Sequence, residues 1–112
     1  MQFLLQKWGI QTDSALNGLE AVNKALNNDY DAILMDVQMP IMDGHQATEK
    51  IRANSLKLPI VALTAHVVKE ERDLCARSGF TDFLPKPVQK NTLRDLLAGY
   101  FGTKENLPQH IM

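Results

Sequence analysis

Three residues of this 112-residue chain carry side chains that together suit the capture of an anion on oxygen. Asp36 follows the apolar run AILM, Thr64 follows IVAL, and Lys86 follows FLP. Each lies at or just after the carboxyl end of a different predicted strand, and in a parallel sheet those ends meet at one edge. If the carboxylate became an acyl phosphate, the hydroxyl and the ammonium group would supply the donors that the new group needs.

The charge of Asp36 requires a partner, because an aspartate at the end of a buried strand is costly to desolvate. Taken singly, Asp36 is more often a turn or helix-cap residue, Thr64 a β-branched strand residue, and Lys86 a solvated surface charge. Their common position at three strand ends favours a site instead. We therefore predict that the ammonium group of Lys86 offsets the charge of Asp36.

The elements that must position these residues alternate between short apolar strands and amphipathic helices. A helix at Gln2–Trp8 is followed by four segments that predict strands: IQTDSA, DAILMD, LPIVALT and FTDFLP. Helical periodicity is found in NGLEAVNKALNNDY, in DGHQATEKIRA with Asp43 as N-cap, in Lys69–Ser78 before Gly79, and in NTLRDLLAGYF. This alternation predicts an α/β fold with a parallel sheet. The residues predicted to face inward from the helices are Leu19, Val22, Ala25, Leu26, Ala47, Ile51, Leu93, Leu96, Leu97, Tyr100 and Phe101.

The composition narrows the classes of function. With 12 basic and 13 acidic residues, the chain shows no broad nucleic-acid footprint. Its single cysteine, Cys75, excludes an internal disulfide and a cysteine-based zinc site, suits a reducing cytoplasm, and is predicted to be inert. His45, His66 and His110 show no metal-ligand spacing among themselves. The sequence shows no secretory or membrane-spanning segment.

Three motifs in a fixed order carry a resemblance to a known family. LMDVQMPIMDG, PIVALTA and GFTDFLPKP follow one another as in receiver domains of two-component response regulators, especially those of hybrid sensor kinases. The resemblance runs from residue 1 to Phe101. It implies a flavodoxin-like, doubly wound parallel sheet, with a receiver domain at 1–102 and a C-terminal tail at 103–112.

The resemblance also implies a role for each matching residue. The implied roles are phosphoacceptor for Asp36, switch hydroxyl for Thr64, phosphate-binding lysine for Lys86, switch aromatic for Phe83, cis-proline for Pro87, and a Mg²⁺ ligand through the backbone carbonyl of Gln38. The implied partner is a histidine kinase or a histidine phosphotransfer protein, whose phosphohistidine donates to Asp36. Such a domain is not an enzyme beyond its own phosphorylation and dephosphorylation, although a hybrid parent protein could be a kinase.

The sequence departs from the family at its N-terminus. Receivers begin with a central strand that ends in two acidic residues, which hold the metal, and this chain starts inside the following helix. The metal ligands are then reduced to Asp36 and the Gln38 carbonyl, because Asp13 on the next strand is expected to be out of reach. We therefore expect weak Mg²⁺ binding and poor phosphotransfer.

The absent first strand also predicts an open slot in the sheet, between the strands at Ile10 and Ala32. An open slot exposes unpaired edges, which promote association. Direct pairing of the two strands, strand exchange in a homodimer, and a segment missing from the sequence are the alternatives that would resolve it.

Two other functions compete with the phosphoacceptor switch. A degenerate receiver could act as a protein-binding or dimerisation module without phosphate, and the absent acids favour that alternative. A hydrolase of the haloacid-dehalogenase type also uses an aspartate after a strand, but it needs a second acid where Gln38 stands. A flavodoxin-like cofactor site lacks support, because no Gly/Ser/Thr-rich phosphate loop follows any strand.

Overall fold

A computed structural model shows a parallel β-sheet with helices on both faces. It describes residues 2–66, 68–101 and 110–112, so most of the predicted tail at 103–112, like the boundary at residue 102, lies outside the described residues. The helices are α1 (Gln2–Lys7), α2 (Gly18–Asn27), α3 (Gly44–Ala53), α4 (Lys69–Ser78) and α5 (Lys90–Phe101). The strands are β1 (Gln11–Thr12), β2 (Ile33–Asp36), β3 (Ile60–Thr64), β4 (Asp82–Pro85) and β5 (His110–Ile111).

All described strand pairs are parallel. β2, β3 and β4 form a three-stranded unit in that order, and β1 pairs with β5. A bridge between Ala32 and Ile111 joins the two units. The resulting order across the sheet is β1, β5, β2, β3, β4.

The predicted open slot is filled by the chain's own C-terminal residues. The backbone N–H of Leu34 donates to the Met112 carbonyl at 2.7 Å, the N–H of Met112 to Ala32 at 3.2 Å, and the N–H of Asp13 to Ile111 at 3.1 Å. β5 thus bonds to both neighbours, which corrects the predicted gap and removes the reason for strand exchange in a homodimer. Pairing with two edges at once satisfies backbone groups that the gap would leave unpaired.

Two hydrophobic clusters lie on opposite faces of the sheet. One joins the sheet to α2, α3 and α4, and its strand residues include Ile33, Met35 and Ile60. The other joins the sheet to α1 and α5. Ile111 belongs to the second cluster and Met112 to the first, as the alternation of side chains along a strand requires. The last residues therefore pack into both halves of the core.

Several predicted helix features are confirmed. Asp43 caps α3 and forms a capping box with Gln46, while α4 ends at Gly79 in the left-handed conformation that favours glycine. Ala47 and Ile51 are fully buried.

For three other residues, the prediction that the side chain faces inward is wrong. Leu19 and Leu26 are 46% and 44% exposed, because α2 packs instead through its smaller residues Ala21, Val22 and Ala25. Tyr100 is also exposed at the sheet's far edge, where its hydroxyl lies 3.4 Å from Asp82. Among the described residues, no helix is both long and apolar enough to cross a membrane.

Candidate functional site

The strand register brings the predicted site residues to one edge of the sheet. Asp36 stands opposite Leu63 on β3, and Thr64 stands opposite Pro85 on β4. Just beyond the strands, the N–H of Val37 donates to Leu63 at 3.1 Å and the N–H of Lys86 donates to Thr64 at 2.8 Å. The backbone of Lys86 is thereby fixed two strands away from Asp36, within reach of a long side chain.

Asp36 divides its carboxylate between two donors. The Lys86 ammonium group pairs with Oδ2, and the backbone N–H of Gln38 donates to Oδ1 at 2.9 Å. The side chains of Asp36 and Lys86 are 35% and 38% exposed, so the pair is screened by water yet accessible to another molecule. The contact provides the partner that the charge of Asp36 requires.

Thr64 is brought to the same edge, but its hydroxyl is engaged elsewhere. The residue is 1% exposed, and Oγ1 accepts from the N–H of His66 at 3.0 Å and lies 3.2 Å from the His66 carbonyl, to which it donates. Of the three predicted residues, the structure therefore joins Asp36 to Lys86 and leaves the Thr64 hydroxyl in the loop after β3. Its release would require that loop to move.

The remaining predicted residues surround this pair. Phe83 is partly buried and packs against the cluster that contains α3 and α4. The Lys86–Pro87 peptide bond is cis, the form that the resemblance implied. Gln38 is exposed and contributes its backbone N–H to Asp36.

Gly44 is a site residue whose role the sequence did not reveal, since Asp43-Gly44 appeared only as a turn signal. A Cβ at residue 44 would collide with the carbonyl oxygen of Asp36 and would lie 2.8 Å from the Cα of Val37. The N–H of Gly44 donates to Val37 at 3.1 Å. The absent side chain thus allows α3 to begin directly against the loop that carries Asp36.

A cavity of about 200 Å³ opens beside Asp36, at the carboxyl ends of β1, β5 and β2. Its lining is mostly apolar and includes Met39 and Met112, together with Asp13 and Asp36. Asp13 therefore faces the same space as Asp36, although the sequence placed it out of reach. Its Oδ2 accepts from the Tyr30 hydroxyl at 2.7 Å. Burial first, and then Asp13, raises the pKa of Tyr30, so the phenol stays protonated at neutral pH.

The described residues do not complete a Mg²⁺ site. Mg²⁺ requires near-octahedral oxygen coordination. The two carboxylates that line the cavity already have partners, Tyr30 for Asp13 and Lys86 for Asp36. The Gln38 carbonyl would add one neutral ligand. Most of the other residues that line the cavity have apolar side chains, which cannot bind Mg²⁺.

Comparisons with known proteins show the family of the chain. The family model for the response regulator receiver domain matches residues 1–98. The sensor protein GacS of Pseudomonas syringae pv. syringae is 42% identical over 107 residues, and the sensor histidine kinase RcsC of Salmonella typhimurium is 41% identical over 92 residues. These alignments cover 91% and 82% of this chain but only 12% and 10% of the two relatives. The chain thus spans about a tenth of their length.

Solved structures share the fold. The receiver domain of the sensor histidine kinase PA1611 from Pseudomonas aeruginosa PAO1, described with magnesium in its active site cleft, matches with a TM-score of 0.82 and 36% identity, covering 91% of this chain and 85% of that one. The chemotaxis protein CheY4 of Vibrio cholerae matches with a TM-score of 0.82 and 32% identity, covering 88% and 83%. The predicted flavodoxin-like α/β fold is confirmed.

Proposed function

Because the chain belongs to the response regulator receiver domain family, we propose that Asp36 accepts a phosphoryl group from a phosphohistidine of a histidine kinase or phosphotransfer protein. The observation that carries this proposal is the contact between the accessible Asp36 carboxylate and Lys86 at the carboxyl edge of the sheet. Neither side chain is buried, so a donor protein can approach both.

The proposed reaction exchanges one bond to phosphorus for another. A carboxylate oxygen of Asp36 attacks the phosphorus, the bond to the histidine nitrogen breaks, and that nitrogen leaves with the electron pair. The ammonium group of Lys86, which already contacts the carboxylate, would then donate a hydrogen bond to a phosphoryl oxygen. This bond is charge-assisted and therefore stronger than a neutral one. No step of this proposal depends on Mg²⁺, whose binding we expect to be weak.

The readout would be a change in the loop after β3. A phosphoryl group on Asp36 adds acceptor oxygens, for which the Thr64 hydroxyl would leave His66. Phe83 is partly buried on β4, next to β3. Its side chain would then turn into the space that the Thr64 hydroxyl leaves. The phosphoryl group would thereby make contacts in the rearranged conformation that it cannot make in the present one. Such a difference in contacts is what shifts the population toward the rearranged conformation.

The test is incubation of the protein with acetyl phosphate, with and without Mg²⁺, followed by mass spectrometry of the intact chain. We expect a gain of one phosphoryl group that Asp36→Asn abolishes and that Asp73→Asn, at an exposed position on α4, leaves unchanged. Lys86→Ala should slow the gain about tenfold or more, because a charge-assisted hydrogen bond contributes roughly 1.5–3 kcal/mol. Absence of any gain in a folded protein would contradict the proposal.

The incomplete metal site supports a second candidate, a receiver that binds proteins without being phosphorylated. The mostly apolar cavity beside Asp36 is the observation in its favour. In that case a phosphotransfer protein would bind wild-type protein and Asp36→Asn with equal affinity, and acetyl phosphate would change neither. An affinity that changes with phosphorylation would exclude this candidate.

A further inference from the structure

A second cluster of reactive side chains lies between α3 and α4, in the part of the fold that the Asp36 site does not use. His45 is near the start of α3, and Glu71 and Cys75 are one turn apart on α4. One ligand atom from each lies within 4.8 Å of the other two. The His45 Nε2 and Glu71 Oε1 atoms are 3.1 Å apart, and Cys75 Sγ is 4.0 Å from the same oxygen.

Ser78 lies behind the cluster and contacts the imidazole of His45. Ser78 Oγ lies 2.9 Å from His45 Nδ1 and 2.8 Å from the Leu74 carbonyl oxygen. The tautomer with its proton on Nδ1 directs the Nε2 lone pair toward Glu71 Oε1 at 3.1 Å, so a metal ion between these two atoms could bind both.

We propose that His45, Glu71 and Cys75 form a site for a divalent transition metal, zinc being the ion that suits them best. Zn²⁺ takes imidazole nitrogen, thiolate sulfur and carboxylate oxygen in tetrahedral geometry, at about 2.0–2.3 Å from each ligand. Such bonds place neighbouring ligand atoms roughly 3.3–3.7 Å apart, so rotations that move these atoms by less than about 1 Å would close the site. The hydroxyl of Ser78 orients the imidazole as outer-shell partners of metal-bound histidines do.

The fourth coordination position would hold water. His45 and Glu71 side chains are 13% and 20% exposed, which leaves a path from solvent, whereas Cys75 is 3% exposed and closes the inner side. One turn between Glu71 and Cys75 puts both on the same face of α4, as helical metal ligands require. The bound ion would fasten α3 to α4 independently of Asp36.

Binding requires the loss of one proton. Burial, with the charge of Glu71, raises the pKa of the Cys75 thiol to about 11, so the thiol is protonated in the metal-free protein. On binding, the S–H bond breaks, the sulfur–metal bond forms, and the proton passes to solvent. The thiolate and the Glu71 carboxylate then neutralise the charge of the divalent ion.

Titration with Co²⁺ in place of Zn²⁺ tests the proposal, because a thiolate bound to cobalt gives a charge-transfer band in the near ultraviolet. Cys75 is the only cysteine of the chain, so no other residue can produce that band. We expect one Co²⁺ per chain, displacement by Zn²⁺, and a rise in melting temperature on adding Zn²⁺. Cys75→Ser should remove the band, and His45→Gln and Glu71→Gln should each weaken binding tenfold or more.

Glu70→Gln is the matched control for Glu71→Gln, since Glu70 is exposed on α4 and lies outside the cluster. It should bind Co²⁺ like the wild type. A wild-type protein that shows no thiolate band at saturating Co²⁺ would overturn the proposal. So would a band of unchanged affinity in both His45→Gln and Glu71→Gln, because the metal would then be held at Cys75 by other groups.

Discussion

The side chains of Asp36 and Lys86 illustrate what residue types and spacing can predict. Their pairing followed from placing a carboxylate and an ammonium group at the carboxyl ends of two parallel strands of one sheet, and the structure brings them into contact. The direction of the Thr64 hydroxyl could not be predicted in this way. It depends on the conformation of the loop after β3, which places the His66 backbone within hydrogen-bond distance of that hydroxyl. A pattern of strands places a residue at an edge without fixing its rotamer.

The cluster of His45, Glu71 and Cys75 also could not be predicted from the residue types and their spacing along the chain. The histidines share no spacing along the chain, and Cys75 in isolation is a buried helix residue. Only the packing of α3 against α4 brings three ligand types together. That Cys75 is inert stays a prediction, and the sequence did not reveal that His45 and Glu71 lie beside it.

Thr48 gives a prediction at the scale of one residue. It is fully buried on α3, and its Oγ1 has no hydrogen-bond partner among the described residues. Because a buried hydroxyl without a partner is unfavourable, Thr48→Val should raise the free energy of unfolding by about 1 kcal/mol. Urea denaturation measures this change.

Thr92→Val on α5 is the control, since Thr92 is exposed and loses no buried polar group. Its free energy of unfolding should stay within about 0.5 kcal/mol of the wild type. If Thr48→Val instead lowered stability by 1 kcal/mol, the hydroxyl would have to be bonded in solution.

At the scale of elements, the junction of β2 with α3 determines how the loop that carries Asp36 is supported. The capping box of Asp43 and Gln46 satisfies N–H groups at the start of α3, and Gly44 lets this turn lie against the Asp36 peptide. The helix start and the site are therefore one packed unit. Changes at the helix start should alter both stability and phosphorylation.

Gly44→Ala should lower the free energy of unfolding by about 2–3 kcal/mol, because the added methyl group meets backbone that cannot rotate away. It should also slow phosphorylation by acetyl phosphate, since the backbone of Asp36 must shift. Both effects are measurable, by urea denaturation and by intact mass.

Gly99→Ala is a matched control in α5, where a Cβ would meet nothing within 4 Å. It should raise stability by about 0.5–1 kcal/mol, since alanine is the better helix former. Equal destabilisation by the two substitutions would mean that close approach to Asp36 is not the cause.

Most elements could be predicted because their signals are local. The apolar runs of β2 and β3, the cap at Asp43 and the stop at Gly79 each depend on a few neighbouring residues. The prediction that Leu19 and Leu26 lie on the buried face of α2 was wrong. Two adjacent stripes of the helix carry apolar residues, and the packing of the neighbouring helix determines which stripe is buried. β5 was missed because two residues carry no period.

At the scale of the whole molecule, β5 completes a sheet that would otherwise be divided. Ile111 is 1% exposed within the cluster under α1 and α5, and it pairs with both Thr12 and Ala32. Ile111→Ala should therefore lower the free energy of unfolding by about 2–5 kcal/mol. Leu16→Ala, at an 81% exposed position, should change it by less than about 0.5 kcal/mol.

The melting temperature distinguishes filling of the slot by the same chain from filling by a second copy. If each chain supplies its own β5, the melting temperature should not depend on protein concentration. A rise with concentration that Ile111→Ala abolishes would show exchange between chains instead. Light scattering on the same samples gives the mass directly.

The place of β5 also has a consequence for the order of events in time. Residues 110–112 follow along the chain every strand and helix against which they pack, so β1 and β2 are synthesised before the strand that lies between them. Until β5 docks, β1 and β2 lack the partner that it supplies to both, and unpaired strand edges promote association. The rate of this final closure, rather than the formation of β2, β3 and β4, should therefore determine how much newly made protein aggregates.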